Sequence, residues 1–163
     1  MDTYFKKVTA KDKVEKYQLV IKQILSVVEG EEDLIANLAN ISAILKMNFD
    51  KYSWVGFYLW KKNELVLGPF QGKPACVRIQ KGKGTCGTVF KERITLIVPD
   101  VSKFPDHIYC DPDSKSEIVI PLLVDGKIIG VLDIDSNEIE TFDEMDRFYI
   151  ENLIQSISTL LKL

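Results

Sequence analysis

The chemistry legible in this 163-residue chain lies in three cysteines, a pair of closely spaced aspartates and a few aromatic residues. Cys76 follows Pro74, Cys86 sits in the glycine-rich stretch 82–87, and Cys110 stands in Tyr109-Cys110-Asp111-Pro112. No two of them form a Cys-x-x-Cys pair, so a thioredoxin-type motif is absent. A structural zinc site would need four closely spaced ligands, and His107 is the only histidine. His107 lies three residues from Cys110 in the same segment, offers no obvious Cys-His hydrolase pairing, and is expected to be an exposed loop residue. A thiol without a histidine base is still a good nucleophile towards a soft electrophile such as sulfur. Cys86 falls at an expected helix start, where the helix dipole should lower its pKa. Three buried structural thiols are the plain alternative.

The second group is acidic. Asp133 and Asp135 are two apart on an expected strand, so they share a face, about 7 Å apart at Cα, with Ile134 opposite. Such carboxylates repel unless a proton or a positive group lies nearby. Glu117 opens the neighbouring strand and can join them. On an earlier strand Trp54, Gly56 and Tyr58 share one face while Val55, Phe57 and Leu59 share the other. Two aromatic walls with a glycine gap, facing several acids, suit a small cationic head group such as an ammonium. The plain alternatives are an edge strand with solvated acids and aromatics that merely cover a sheet.

These residues need elements to position them. Val14, Tyr17, Ile21, Ile24 and Val28 recur at helical spacing, with Gly30 as a stop. Leu34, Leu38, Ile41 and Leu45 form a second apolar stripe. Strands are expected over 52–60, 64–70, 75–79 and 94–98, with a short helix over 88–93. Residues 99–116, with three prolines, read as a long irregular loop, which in a compact domain points to function or disorder. Asp125-Gly126 between two apolar runs is a strong hairpin signal. A last helix opens at Thr141 or Asp143 and presents Ile150, Leu153, Ile154, Ile157, Leu160 and Leu161. The order predicts an α+β domain: a central antiparallel sheet with the N- and C-terminal helices on one face and a ligand pocket on the other. Residues 1–10 read as a leader and 11–163 as the domain.

Residues 82–87 match GxGxxG literally, but no βαβ unit surrounds them and no suitably placed acid follows, so dinucleotide binding is not expected. Net charge is −3 with scattered Lys and Arg, which argues against nucleic acid. No apolar run approaches a membrane span of about 18 residues, and the polar start is unlike a secretory signal. A cytoplasmic protein is expected, where thiols stay reduced unless catalytic or redox-sensing.

Residues 117–122 together with Gly130-Val-Leu-Asp-Ile-Asp-Ser136 resemble the end of a GAF domain. The fuller set resembles the free methionine-(R)-sulfoxide reductases: Ser53-Trp-Val-Gly-Phe-Tyr58, Leu67-Gly-Pro-Phe-Gln-Gly72, Pro74-Ala-Cys76, the 82–87 stretch, Cys110-Asp-Pro, Ser116-Glu117 and Asp133-Ile-Asp135. The likeness runs from about residue 12 to the end. It implies a GAF fold and a thioredoxin-recycled oxidoreductase without a metal or cofactor. It implies Cys110 as the nucleophile that becomes a sulfenic acid, Cys76 as the resolving thiol and Cys86 as a second or alternative partner. It implies Trp54 packing the substrate methyl and Tyr58 lining the pocket. Glu117, Asp133 and Asp135 would hold the ammonium and steady the sulfoxide oxygen, with Glu117 or Asp135 supplying a proton. Backbone N–H groups of the glycine-rich segment would meet the substrate carboxylate or the oxygen. A homodimer is plausible. The competing reading is a non-catalytic small-molecule-sensing GAF module, which would not need Cys110.

Overall fold

Three of the helices start on an aspartate. In the computed structural model, which describes residues 6–163, Asp12 accepts a hydrogen bond from the Glu15 N–H ahead of α1 (Lys13–Val28). Asp33 does the same for Ala36 ahead of α2 (Leu34–Asn48). Asp143 and Asp146 form a reciprocal capping box at the start of α4 (Glu144–Ser158). Each cap satisfies amide groups that the first helical turn leaves without partners. Gly30, at φ +83°, follows the end of α1 as expected.

The strands are β1 (Trp54–Lys61), β2 (Glu64–Gln71), β3 (Arg78–Ile79), β4 (Leu96–Val98), β5 (Ser116–Val124) and β6 (Lys127–Ser136). They form one sheet in the order β3-β2-β1-β6-β5-β4, every neighbouring pair antiparallel. Two tight turns fix the hairpins. Lys62-Asn63 and Asp125-Gly126 both have two successive positive φ values, the backbone that matches the twist of paired strands. Strand β6 lies between β1 and β5, so its acids are not on an edge.

Alternation divides the sheet. Val55, Phe57, Leu59, Ile118, Ile120, Leu122, Leu132 and Ile134 face α1, α2 and α4, and form the main core with Tyr17, Ile24, Leu38, Ile41, Leu153 and Ile157. Each such aliphatic side chain contributes about 1.5–3 kcal/mol on burial. Trp54, Tyr58, Val119 and Val131 face the other way, towards α3 (Gly84–Glu92), which brings Cys86, Val89 and Phe90. The terminal helices thus occupy one face and leave the other for a pocket. None of the helices among the described residues is long and apolar enough to cross a membrane.

Three local differences from the sequence expectations matter. Helix α3 begins at Gly84 rather than 88, so Cys86 lies inside its first turn. Gly87 permits this: a Cβ there would stand 2.3 Å from the Gln80 carbonyl oxygen. The glycines serve close helix-to-backbone packing. Strand β3 shrinks to two residues. Val77 still accepts a hydrogen bond from Leu67 N–H, while Cys76 leaves the ladder and its sulfur meets Cys110. The expected leader falls partly outside the described residues, but Lys7 pairs with Asp50 and Val8 N–H donates to Asn48.

A buried polar knot ties α1, the entry to β1 and α4 together. Tyr17 Oη donates to Asp146 Oδ1 at 2.5 Å and meets Tyr52 Oη at 2.6 Å. Lys13 Nζ and Asp143 N–H donate to Asp146 Oδ2. Asp146→Ala strips partners from a buried hydroxyl, an amide and an ammonium at once. It is expected to lower the unfolding free energy by about 3 kcal/mol, and Tyr17→Phe by about 1 kcal/mol. Urea denaturation of both variants measures this.

Candidate active site

The register of three strands builds the acidic wall. Trp54 on β1 stands opposite Asp135 on β6, which stands opposite Glu117 on β5. One step along, Gly56 faces Asp133 and Asp133 faces Val119. Oxygens of Glu117, Asp133 and Asp135 therefore converge within 4.8 Å of one another. Glu117 and Asp133 are buried, and Asp135 keeps some contact with the pocket mouth.

Helix α3 supplies donors to this wall. Thr85 Oγ1 donates to Glu117 Oε1 at 2.5 Å, and the Cys86 thiol donates to Asp133 Oδ2 at 3.3 Å. Asp133 Oδ1 is buried with no hydrogen-bond partner. No side chain caps α3, and Gly84 and Thr85 of its first turn line the same pocket. First-turn N–H groups have no partner within their own helix, so this end of the pocket favours an anion.

The aromatic wall is held from behind. Trp54 and Tyr58 stack with ring centroids 6.0 Å apart, and Phe70 backs the indole at 5.3 Å. Trp54 Nε1–H donates to the Lys73 carbonyl and Tyr58 Oη–H to the Cys76 carbonyl. A Cβ on Gly56 would collide with the indole and with Phe70. The glycine gap is thus occupied by the indole lying across it.

Cys76 and Cys110 are joined by a disulfide, Cα atoms 5.2 Å apart. Cys110 and Pro74 line the pocket with Trp54, Tyr58 and the three acids, around about 540 Å³ of atom-free space that includes the open mouth. Lys73, just ahead of Cys76, pairs with Asp113 at 2.5 Å and reaches Asp111 at 3.5 Å, both just beyond Cys110. The sequence-derived residues Trp54, Tyr58, Cys86, Cys110, Glu117, Asp133 and Asp135 are all brought to one pocket, with Cys76 bonded to its rim.

Electrostatics in this space are set by enclosure and like charge. Burial, followed by the charge of Glu117, holds the Asp133 carboxyl well above the usual carboxylate range. Asp135 is raised by burial and then by Asp133 and Glu117. Carboxylates this close share protons rather than all ionising. Burial also pushes the Cys86 thiol up, with Asp133 and Glu117 adding to it. The expectation of a lowered Cys86 pKa is overturned: desolvation and two carboxylates outweigh a helix dipole equivalent to about half a charge.

His107 corrects a second expectation. Its side chain is 9% exposed and its Nδ1 lies 3.4 Å from Glu117 Oε1. Tyr109 meets the imidazole edge-on at 4.5 Å, and the loop folds the ring into the pocket wall. Thr85 was also missed. Its one signal was a hydroxyl inside a glycine-rich segment, next to a cysteine. Among the described residues the three acids are the one set that could converge on a metal ion. The same convergence suits an ammonium and a shared proton.

The GAF domain profile matches residues 33–162. Over 92% of this chain and 91% of its own length, the free methionine-R-sulfoxide reductase of Escherichia coli is 43% identical. The chain belongs to the free methionine-R-sulfoxide reductase family of GAF domains. A structure of the Neisseria meningitidis member in complex with its substrate superposes with a TM-score of 0.89 at 48% identity, covering 93% of this chain and 92% of that one. GAF domain-containing protein A of Dictyostelium discoideum is 54% identical over 88% of this chain and 90% of its own length. The acidic wall carries a stability cost. Because the Asp135 carboxyl is raised in the folded state, the folded protein holds a proton that the unfolded chain releases near pH 4. The stability linked to that proton is full below about pH 4 and is lost as pH rises through the folded value. Asp135→Asn is therefore expected to raise the unfolding temperature at pH 8 by more than at pH 4, measured by thermal melts at both.

Proposed function

We infer that this chain reduces free L-methionine-(R)-sulfoxide to methionine, with Cys110 as the nucleophile. The observation that carries this reading is the Cys76–Cys110 disulfide at the rim of a pocket walled by Trp54, Tyr58 and three carboxylates. The reading is supported by relatives named as reductases of this substrate, from which the R preference comes.

The reduced Cys110 thiolate attacks the sulfoxide sulfur. The S–O oxygen takes a proton from Glu117 or Asp135 and ends on Cys110 as a sulfenic acid while methionine leaves. The Cys76 thiol then attacks the Cys110 sulfur, and the oxygen departs as water. The substrate methyl packs against Trp54 and its carboxylate meets the first turn of α3. Its ammonium lies against the acids, which a peptide-bound methionine could not satisfy. Cys76 is the resolving thiol. Cys86, buried and weakly acidic, is a poor attacker and instead fixes Asp133. Thioredoxin, in the cytoplasm, restores both thiols by exchange. The working unit is the domain of residues 11–163, acting as a homodimer without metal or cofactor.

The test is a single turnover. The reduced protein is mixed with free L-methionine-R-sulfoxide without recycling reductant, and methionine and remaining thiols are counted. About one methionine per chain with loss of two thiols is expected. Cys110→Ser should yield none, while Cys76→Ser should make one methionine and then recycle slowly. No methionine and intact thiols in the wild type would favour a ligand-sensing module. Asn at both 133 and 135 is expected to weaken substrate binding about tenfold or more, read by calorimetry on Cys110→Ser.

A further inference from the structure

His107 lines the pocket, and that reaction assigns it no task. Its ring is nine-tenths buried, and its Nδ1 points at Glu117 Oε1 from 3.4 Å without completing a hydrogen bond. An enclosed nitrogen left without a partner is costly unless the site uses it. Tyr109 fixes the plane of the imidazole edge-on. Glu117 Oε1 already accepts from Thr85, so one oxygen of the carboxylate faces two potential donors.

The chemistry leaves a proton to be replaced. Each sulfoxide consumes one proton at oxygen on the way to the sulfenic acid, while the Cys76 thiol brings the proton with which that oxygen later leaves as water. Glu117 is only 4% exposed, so its own access to bulk water is narrow. His107 touches it from a loop whose next two residues, Ile108 and Tyr109, are exposed. Histidine is the side chain that exchanges protons near neutral pH.

We propose that His107 is the proton-loading partner of Glu117, passing a proton from Nδ1 to the Glu117 carboxylate for delivery to the sulfoxide oxygen. The N–H bond breaks as the O–H bond forms, and the imidazole recovers its proton from water. No electrons move in this step. His107 acts through Glu117 and is a positioning residue. The inference rests on the reductase reading above. The other titratable groups that share the pocket with it are Tyr58 of β1, Asp133 and Asp135 of β6, Cys86 of α3, Lys83 before α3, and Asp111 and the reduced Cys110 of its own loop.

Two measurements test this. His107 is the only histidine, so its imidazole signals in an NMR pH titration are unambiguous. Glu117→Gln removes the charge that faces Nδ1 and is expected to move the midpoint of that titration; an unchanged midpoint overturns the pairing. The second is the pH profile of single-turnover methionine formation. His107→Asn keeps a donor near the Nδ1 position but cannot carry a proton. It is expected to slow the step about 100-fold at neutral pH, to flatten the wild-type pH dependence, and to leave KM within about twofold. Added imidazole should recover part of the rate in His107→Ala. A His107→Asn variant with the wild-type rate and profile overturns proton transfer. If the wild type itself made no methionine, the reductase reading would fall, and the NMR titration would still decide the pairing.

Discussion

Three carboxyl groups forced together on one face of a sheet are the constraint that organises this molecule. They would repel in water-exposed positions and would cost too much in an apolar core. Here the cost is divided. Thr85 and Cys86 donate to Glu117 and Asp133, protons occupy part of the set, and His107 also faces Glu117. Every one of those partners sits on α3 or on the Cys110 loop. The segments that cover the pocket face are therefore placed by what the acids require. The helices behind the sheet need only supply the apolar ballast that keeps the strands in register.

That register is the link between packing and chemistry. The aliphatic residues of β1, β5 and β6 lock one face against α1, α2 and α4. A slip of one residue would carry Asp133 and Asp135 into that core and Ile134 into the pocket. The geometry of the pocket wall is thus protected by hydrophobic burial on the far side of the sheet. The tight turns at Lys62-Asn63 and Asp125-Gly126 guard it from the ends. The same division explains why the pocket face can afford buried charge: its stability is supplied elsewhere.

What was legible in the sequence follows physical locality. The Asp125-Gly126 hairpin, the alternation of Trp54 and Tyr58 against Val55 and Phe57, and the pairing of Asp133 with Asp135 are set by neighbours in the chain. Periodicity reads such features directly. The early start of α3 was not legible, because Gly87 answers to the Gln80 carbonyl across a close contact rather than to its own helix propensity. Nor was the burial of His107, which comes from a loop folding back over a sheet assembled from distant segments. The raised pKa of Cys86 escaped for the same reason. The helix dipole is local, whereas Asp133 and Glu117 arrive from elsewhere in the chain.

The Cys76–Cys110 bond closes across 34 residues of sequence, yet both of its flanks are already anchored. Tyr58 holds the Cys76 carbonyl, and Lys73 clasps Asp111 and Asp113 beyond Cys110. Opening the bond therefore releases little chain entropy, since the ends of that segment do not depend on it for their position. The two sulfurs stay at high effective molarity in the dithiol form. Oxidation and reduction then become a local event on a standing scaffold, and the cycle can turn without any part of the domain having to fold again.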